Sequence, residues 1–424
     1  MLRKSCALSL VVFAVLAALP VSIARADEVT DWNQIMFQAA LLEKTSPLVM
    51  TRVAAIVQAS VFDAVNGIER RYTPIHVQAA APRGASRRAA AVQAAYANLV
   101  RIYPNETSTF DDARSASLAS ILKGGGEDRA SSVAAGIQWG QTVADAIWAW
   151  RSTDGFAPPP PPFLGRTDVG VWRPTPPAFA PGAGPQFAYM TPWVIQSPSQ
   201  FRPAGPPALD SARYAEVFNE TKNMGSMSST LRSADQTLFS RFWNSSTASF
   251  YWDRIAILIG AQHHNTLSQN ARLLAAVNVA MADAAIACWE AKYYYVFWRP
   301  VTAIPLADSD GNSLTAADPN WMPLFATPAH PEYPSGHSTV SSAAATVLAH
   351  YFGSNTSFSV DSDVMLGVVR SFSSIDAALS EIRDARVFAG IHFRTACDDG
   401  QAVGTAVGNY VLANAFRRVA DEND

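Results

Sequence analysis

The sequence predicts an all-α protein built from two helical halves that are joined by a proline-rich, irregular crossing. Apolar residues recur at helical spacing along most of the chain, and the period-2 alternation typical of strands is scarce. Prolines are concentrated in residues 154–209, where they remove the backbone N–H groups that a helix interior needs. Of the 424 residues, 16% are charged and 49% are hydrophobic. This balance fits a large buried core and excludes disorder along most of the length.

The helices are predicted in the order in which the apolar spacing appears along the chain. The front half, residues 27–153, contains predicted helices at 47–66, 88–102 and 132–150, and Gly67 is predicted to end the first of them. The back half, residues 210–424, contains predicted helices at 210–222, 233–243, 255–298, 337–352, 376–389 and 394–417.

Residues 1–26 are typical of an export signal. Arg3 and Lys4 precede an apolar run, and Ala24-Arg25-Ala26 matches the small-x-small pattern of a cleavage site. A membrane anchor is the alternative, but the run is shorter than the roughly 20 residues that a spanning helix needs. No later stretch is expected to span a bilayer. The sequence therefore predicts a protein exported to a periplasm or outside the cell, without stable membrane insertion after cleavage.

Charge and cysteine content argue against two other classes of protein. The formal net charge of −3 argues against a general nucleic-acid binder. Three cysteines cannot form a disulfide scaffold. Cys288 and Cys397 remain after signal cleavage, and the sequence leaves open whether they pair, because pairing depends on the distance between them.

Chemistry-bearing residues are concentrated in three short segments of the back half. The first is Lys292-Tyr-Tyr-Tyr-Val-Phe-Trp-Arg299-Pro300. A spacing of seven returns a helix nearly to the same face, so Lys292 and Arg299 can point the same way. Two cations at an apolar, aromatic helix end need an anion. Two solvated surface charges are the alternative.

The second segment is Pro331-Glu332-Tyr333-Pro334-Ser335-Gly336-His337, followed by a helix of small residues. Ser335 and Gly336 stand where that helix begins, and free N–H groups and the helix dipole make such a position receptive to an anion. Gly336 allows close approach of the backbone, and Ser335 adds a hydroxyl donor. An ordinary N-cap is the alternative for Ser335, but it does not explain His337 directly after it.

The third segment places Arg386 six residues before His392. On one ideal helix these side chains would lie about 120° apart, so they converge only if the helix breaks between them. Gly390 is well placed to stop the helix. The alternative is a core histidine and a buried arginine paired with Asp384 or Asp398.

Together the three segments supply three cations, two neutral donors and two imidazoles, a set suited to holding a tetrahedral dianion. No carboxylate is needed inside such a cage, and none of the three segments' signatures requires one. The metal-binding patterns His-Glu-x-x-His and Cys-x-x-Cys are absent from the sequence.

The order Lys-x6-Arg-Pro, Pro-Ser-Gly-His and Arg-x5-His resembles the signature of the vanadium-dependent haloperoxidases. Their relatives, the acid phosphatases of the phosphatidic-acid-phosphatase type (PAP2), share it. All seven functional positions match, although the family often carries Ser where this chain has Ala385. The close match spans Lys292 to His392. The front half resembles the haloperoxidases mainly in its length and helical character.

The resemblance implies a helical-bundle fold and a role for each matched residue. His392 would be the apical protein ligand of vanadium, or the nucleophile that attacks phosphorus in a phosphatase. His337 would be the general acid–base, and Lys292 would also act on bound peroxide. The oxygens of the vanadate cofactor, or of phosphate as a competing occupant, would be held by Lys292, Arg299, Ser335, Gly336 and Arg386.

Chain length, export and Trp289 favour a haloperoxidase over a phosphatase. Trp289 matches an aromatic residue beside the halide in chloride-oxidising members, whereas His330 stands where bromide-oxidising members tend to carry histidine. Bromide or iodide is therefore favoured over chloride. A core role for Trp289 and a turn role for His330 are the alternatives. Asp283 and Asp235 are candidate partners for a site arginine, outside the catalytic set.

The expected partners are hydrogen peroxide, a halide and a small organic acceptor, and pairing into a homodimer is left open. Two other functions remain as alternatives. One is a secreted acid phosphatase that hydrolyses phosphate monoesters through a phosphohistidine. The other is a protein that binds phosphate or vanadate without turnover, against which His337 argues.

Overall fold

The computed structural model describes residues 27–125 and 128–419, and the predicted export signal, residues 1–26, lies outside them. The described residues form thirteen α-helices and one two-stranded antiparallel sheet, so the predicted all-α class is confirmed. The helices are α1 (Glu28–Leu42), α2 (Pro47–Glu69), α3 (Arg87–Ile102), α4 (Thr107–Gly124), α5 (Ala130–Arg151), α6 (Ala212–Gly225), α7 (Ala234–Ser245), α8 (Ala248–Gln262), α9 (Leu267–Tyr295), α10 (Pro300–Ala303), α11 (Gly336–Phe352), α12 (Ile375–Phe388) and α13 (Arg394–Asn414). The strands are β1 (Phe358–Asp361) and β2 (Val369–Phe372), and short 3₁₀ helices span Pro104–Glu106, Pro185–Tyr189 and Ala307–Ser309.

The predicted end of α2 at Gly67 is wrong. The helix continues to Glu69 and ends at Arg70, whose φ of 56° lies in the left-handed region. A Cβ atom on Gly67 would lie 2.5 Å from the side chain of Trp139. The glycine therefore allows α5 to approach α2 closely, and the indole N–H of Trp139 donates to the carbonyl of Ala64 at 2.9 Å.

The single helix predicted over 255–298 is two helices, α8 and α9. Thr266 caps α9, because its hydroxyl accepts from the backbone N–H of Gln269 while the Gln269 side chain accepts from the backbone N–H of Thr266. This Thr-x-x-Gln capping box is readable in the sequence. The prediction also omitted α1, α4, the short helix α10 and the hairpin. In α4 the apolar signal is sparse, since Phe110 and Ile121 are its buried residues.

Two helices correct the expectation that no stretch after residue 26 could span a bilayer. By length and composition, α2 and α9 are apolar enough to cross one, with mean hydropathies of 1.6 and 1.5 over their most apolar windows. In the structure these windows are 83% and 94% buried inside the protein. Here both helices are core helices, and α9 carries the first of the three segments.

The crossing, residues 154–209, is irregular as predicted, apart from the 3₁₀ helix Pro185–Tyr189. Asp283 of α9, fully buried, accepts the backbone N–H groups of residues 193–195 at 2.6, 2.8 and 3.0 Å. The indole N–H of Trp289 donates to the carbonyl of Ala183 at 3.0 Å. These contacts fasten the crossing along the half of α9 that leads to Lys292.

The largest apolar cluster draws on both predicted halves of the chain. It includes Phe62 of α2, Val277 of α9 and Leu348 of α11, each at most 1% exposed. The boundaries of the predicted halves stay a prediction. The packing holds four helices against one another so that their ends meet. These helices are α9, α11, α12 and α13.

Candidate active site

The three segments identified in the sequence converge at the ends of four helices. Lys292 lies in the last turn of α9, Ser335 caps α11, Arg386 lies in the last turn of α12 and His392 precedes α13. Arg299 stands immediately before α10. All five residues are buried, with exposures of 0–1% for the whole residue. We call Lys292, Arg299 and Arg386 the cation cluster.

The turn between Arg386 and His392 has the predicted break. Helix α12 ends at Phe388, and Gly390 follows with a φ of 75°. A Cβ atom on Gly390 would lie 2.5 Å from the carbonyl oxygen of Gly225, so the position requires glycine for both its conformation and its close packing. This turn brings His392 back towards Arg299, whose Nη1 lies 3.2 Å from His392 Nε2.

The ammonium group of Lys292 is fully used by the loop that precedes α11. It donates to the carbonyls of Pro331 and Glu332 at 2.9 and 3.1 Å and also to that of Pro334. An ammonium has three donors. Lys292 therefore fixes this loop, and a contact to an oxyanion requires the release of one carbonyl.

Arg299 joins two of the segments. Its Nε donates to the carbonyl of His330 at 2.9 Å, and its Nη1 donates to the carbonyl of Ile391 at 2.7 Å. Its Nη2 lies 2.9 Å from Nδ1 of His330. The guanidinium thus contacts the loop before α11 on one side and the segment that carries His392 on the other.

Arg386 is the least satisfied member of the cation cluster. Its Nη1 donates to the side-chain oxygen of Asn244 at 3.1 Å, while its buried Nε has no hydrogen-bond partner. The alternative pairing with Asp384 or Asp398 is wrong. Asp384 pairs with Arg394, and Asp398 is the partner of other arginines, with its closest contact to Arg383 at 3.5 Å.

The cation cluster lacks matching negative charge. Among residues 27–125 and 128–419, no Asp or Glu forms a salt bridge with any of its three members. Desolvation lowers the pKa of Lys292 to about 7, of Arg386 to about 9 and of Arg299 to about 10. The charge of Arg299 further lowers the pKa of Lys292 and of Arg386. Isolated buried cations are costly, so this site favours an anionic ligand.

One carboxylate, that of Glu332, lies directly behind His392. Its side chain is 1% exposed, and its Oε1 lies 3.0 Å from His392 Nδ1 and 2.9 Å from the backbone nitrogen of Phe393. Burial raises the pKa of Glu332 to about 7 and outweighs the opposite effect of Arg299. Its place inside the Pro-Glu-Tyr-Pro-Ser-Gly-His segment was a signal in the sequence, but the contact with His392 joins residues 60 positions apart.

Ser335, Gly336 and His337 form the start of α11. The Ser335 hydroxyl accepts from the backbone N–H of Ser338, so the N-cap alternative describes a real contact. It also accepts from the Ser338 hydroxyl at 3.3 Å, and neither of these two contacts uses its own proton. Gly336 and His337 are half-buried and lie at the accessible side of the site.

Burial and nearby charge favour the neutral form of both imidazoles. The pKa of His337 and the pKa of His392 both lie well below the usual value, first because of burial and then because of the cation cluster. Each of the three cations acts on both imidazoles. A neutral imidazole offers one lone pair, which suits His392 to ligation or attack and His337 to proton acceptance.

Trp289 and His330 contact each other beside the cluster. Their ring centroids lie 5.0 Å apart at an angle of 50°. Lys292 Nζ lies 5.6 Å from the centre of the indole ring, and a Cβ atom on Gly336 would lie 3.2 Å from the same ring. The two candidate halide-pocket residues therefore line one wall of the site, and Trp289 also belongs to a small apolar cluster.

Other residues weighed in the sequence serve the fold. Asp283 binds the crossing, and Asp235 pairs with Arg370, so neither supports a site arginine. Cys288 and Cys397 are buried free thiols and are not paired with each other.

The donor set fits a tetrahedral oxyanion such as vanadate or phosphate. The orphaned Nε of Arg386, the excess of buried positive charge and the start of α11 all favour an anion. His392 Nε2 faces Arg299, so one imidazole nitrogen can reach an anion held by that cation. The arrangement combines charge stabilisation, one nitrogen ligand and one proton acceptor.

Comparisons with known proteins find similarity to vanadium haloperoxidases. A family model described as the VCPO second helical-bundle domain matches residues 272–421. The vanadium chloroperoxidase of Curvularia inaequalis is 28% identical, and the match covers 59% of this chain and 49% of that protein. The chain thus spans about half the length of this curated relative.

Solved structures match over nearly the whole chain. A structure described as the first bacterial vanadium-dependent iodoperoxidase is 28% identical, with a TM-score of 0.82, and the match covers 93% of this chain and 98% of that one. A holo-type bacterial vanadium-dependent chloroperoxidase is 16% identical, with a TM-score of 0.68 and coverage of 93% and 94%, and shows likeness of fold alone.

Fold and site thus define an all-α protein with a buried cation cluster suited to an oxyanion and one histidine, His392, whose Nε2 faces that cluster. The chain resembles the vanadium haloperoxidases, by sequence over much of its back half and by fold over nearly its whole length.

Proposed function

We propose that the protein is a vanadate-dependent haloperoxidase that oxidises a halide with hydrogen peroxide, and that bromide or iodide is preferred over chloride. The single observation that carries the proposal is the pairing of an undercompensated cation cluster with His392 Nε2. This combination suits an anion that needs both charge stabilisation and one nitrogen ligand. Vanadate is such an anion. The names of the proteins that this chain resembles support vanadate as the cofactor.

The residues that would hold vanadate differ in readiness. Arg386 has an unused donor, and the Ser335 hydroxyl accepts two hydrogen bonds that do not use its own proton. Lys292 and Arg299 supply charge while they hold the surrounding loops. His392 would be the vanadium ligand through Nε2. When bound, vanadate would supply a Lewis acid that activates peroxide for attack by a halide.

His337 is proposed as the general acid–base. It is half-buried, and it stands one residue after the Gly336 backbone at the accessible side of the site. From there it can accept a proton from incoming peroxide and return it to the product. Burial, and after it the charge of the neighbouring cations, lowers the pKa of His337 and so favours the neutral state that a base requires.

The halide preference rests on the wall formed by Trp289 and His330. His330 is tied to Arg299 through its ring and its carbonyl, so a polar imidazole is held beside the oxyanion site. This increases the polarity of a wall that the indole ring would otherwise make apolar. The iodoperoxidase that matches over nearly both full lengths supports this preference more than the chloroperoxidase that is matched over about half its length.

A paired assay tests the proposed function. The purified protein is reconstituted with orthovanadate and given peroxide with iodide, bromide or chloride, and halogenation of a phenolic dye is measured. The same preparation without vanadate is assayed with p-nitrophenyl phosphate. We expect halogenation that requires vanadate and is inhibited by phosphate, with chloride the poorest halide. Phosphate ester hydrolysis without halogenation would show a PAP2-type phosphatase, and tight vanadate binding without either reaction would show a binding protein.

We also propose export with cleavage after Ala26. Asp27 would then begin the mature chain, and its carboxylate caps α1 by accepting from the N–H groups of Val29 and Thr30 at 3.0 Å. Sequencing the amino terminus of the protein recovered from the periplasm or medium tests this proposal. A mature chain that starts before Ala26 or remains in the membrane fraction would contradict it.

A further inference from the structure

Glu332 and His392 are joined by a contact that links two loops of the site. Glu332 Oε1 lies 3.0 Å from His392 Nδ1 and also accepts the backbone N–H of Phe393 at 2.9 Å. The same carboxylate oxygen thus binds both the imidazole and the start of α13. The Glu332 and His392 side chains are 1% and 2% exposed, so water does not compete for this contact.

The other ring nitrogen of His392 fixes which tautomer is present. Nε2 lies 3.2 Å from Nη1 of Arg299. Arginine can only donate, so Nε2 must accept and must carry no proton. A neutral imidazole then has its proton on Nδ1, where Glu332 is the acceptor.

The backbone of Glu332 is held on both sides. Its N–H donates to the carbonyl of Phe297 at 2.9 Å, and its own carbonyl accepts from Lys292 Nζ at 3.1 Å. A carboxylate mounted on such a rigid support can orient a ring, which a mobile side chain cannot do.

We infer that Glu332 is a positioning residue that holds His392 as the Nδ1–H tautomer and aims the lone pair of Nε2 at the cation cluster. The contacts of its carboxylate are with His392 and Phe393 and not with the side chains of the cation cluster. Outer partners of this kind orient a ligating histidine and raise its basicity. The tautomer stands on the contacts alone, and only its consequence for vanadate rests on the proposed function.

The direct test is nitrogen NMR of the vanadate-free protein labelled in its histidines. The chain has seven histidines, and the His392 signals are those missing from His392→Ala. We expect the wild-type protein to show Nδ1 protonated and Nε2 free. Glu332→Met, which removes the acceptor at similar volume, should shift His392 towards a mixture of tautomers. Glu332→Gln keeps an acceptor oxygen and should retain the wild-type tautomer.

Vanadate affinity gives a second readout, measured by equilibrium dialysis with orthovanadate. Glu332→Met should raise the dissociation constant about 10- to 100-fold, and Glu332→Gln should restore most of the affinity. The matched control is Asp283→Asn, because Asp283 is also a fully buried carboxylate that accepts backbone N–H groups. It should alter stability while leaving the His392 tautomer unchanged.

Two results would overturn the inference. One is a wild-type spectrum with the proton on Nε2, which needs no variant to fold. The other is an unchanged His392 tautomer in a folded Glu332→Met or Glu332→Ala protein. A wild-type protein with the expected tautomer but no halogenation would leave this inference standing and remove the proposed function instead.

Discussion

Two fully buried arginines, one in each predicted half of the chain, are satisfied to opposite degrees. Arg151 at the end of α5 lies 3.0 Å from the carboxylate of Asp154 and donates to two backbone carbonyls. Arg386 at the end of α12 donates to the amide oxygen of Asn244, and its Nε has no partner. Arg151 therefore has its counterion within the fold, whereas no carboxylate of residues 27–125 and 128–419 pairs with Arg386.

Two buried carboxylates resemble Arg151, because their hydrogen-bond partners also lie within the protein. Asp63 accepts the backbone N–H groups of residues 75–77, and Asp283 accepts those of residues 193–195. Each is complete without a ligand. The difference teaches that burial of a charge does not mark a functional site. A buried charge marks such a site when its hydrogen-bonding capacity is left unused.

The largest effect is expected at His392, whose Nε2 faces the cation cluster. His392→Ala removes the nitrogen proposed to bind vanadium, and vanadate affinity should fall by more than the roughly 100-fold that outer-shell changes cost. Halogenation should be lost with it. Equilibrium dialysis with orthovanadate measures the affinity, and His350→Ala, an exposed histidine of α11, is the control. Unchanged vanadate binding by His392→Ala would show that the ligand is misassigned.

Arg151→Met should produce a large loss of a different kind. It removes one partner of a buried ion pair, so the free energy of unfolding should fall by about 3 kcal/mol. Arg52, 2.9 Å from Asp154, stays as a partial counterion. Chemical denaturation measures the loss, and vanadate affinity should stay within twofold of wild type. A stable Arg151→Met protein with weakened vanadate binding would abolish the distinction between the two arginines.

The sequence was sufficient for the class of fold and for most of the cluster, for identifiable reasons. Fixed spacings within short segments show Lys292, Arg299 and Arg386 directly, and Gly390 shows the break that brings His392 back. It was not sufficient for contacts between segments. Neither the use of all three Lys292 donors by loop carbonyls nor the bond from Glu332 to His392 follows from local spacing.

The predictions of helix boundaries were wrong where a residue type that often ends helices has a packing role instead. Glycine is typical of a helix end, yet Gly67 lies inside α2. Its missing Cβ makes room for the side chain of Trp139 from α5. Helix α4 has too few buried apolar residues to produce a periodic signal. Such features depend on which neighbour packs against the segment, and a single sequence does not specify that neighbour.

Arg386→Met sharpens the comparison from the side of the site. Removing the charge-assisted bonds of this guanidinium, each worth about 1.5–3 kcal/mol, should weaken vanadate binding about 10- to 150-fold. The vanadate-free protein should lose no stability and is expected to gain about 1 kcal/mol, because an undercompensated buried cation is replaced by an apolar chain. Dialysis and denaturation of the same preparation give both values. A loss of stability comparable to that of Arg151→Met would mean that Arg386 is a structural residue.

The smallest expected effect is the pH dependence of stability that Asp63 contributes. Desolvation raises the pKa of Asp63 to about 6 in spite of its three N–H donors, from 3.8 for the free group. The folded protein then holds a proton that the unfolded chain releases, so this contribution is present at low pH and is lost as the pH rises through about 6. Between pH 5 and pH 6 the loss should be about 1 kcal/mol.

In Asp63→Asn the unfolding free energy should lack this decline, and Asp283→Asn should behave alike, because the pKa of Asp283 is also raised to about 6 by burial. Denaturation series at the two pH values measure the difference between wild type and variant. If the unfolding free energy changed equally between the two pH values in all three proteins, Asp63 and Asp283 would not be taking up protons in this range. Their three N–H donors would then keep each carboxylate charged in spite of its burial.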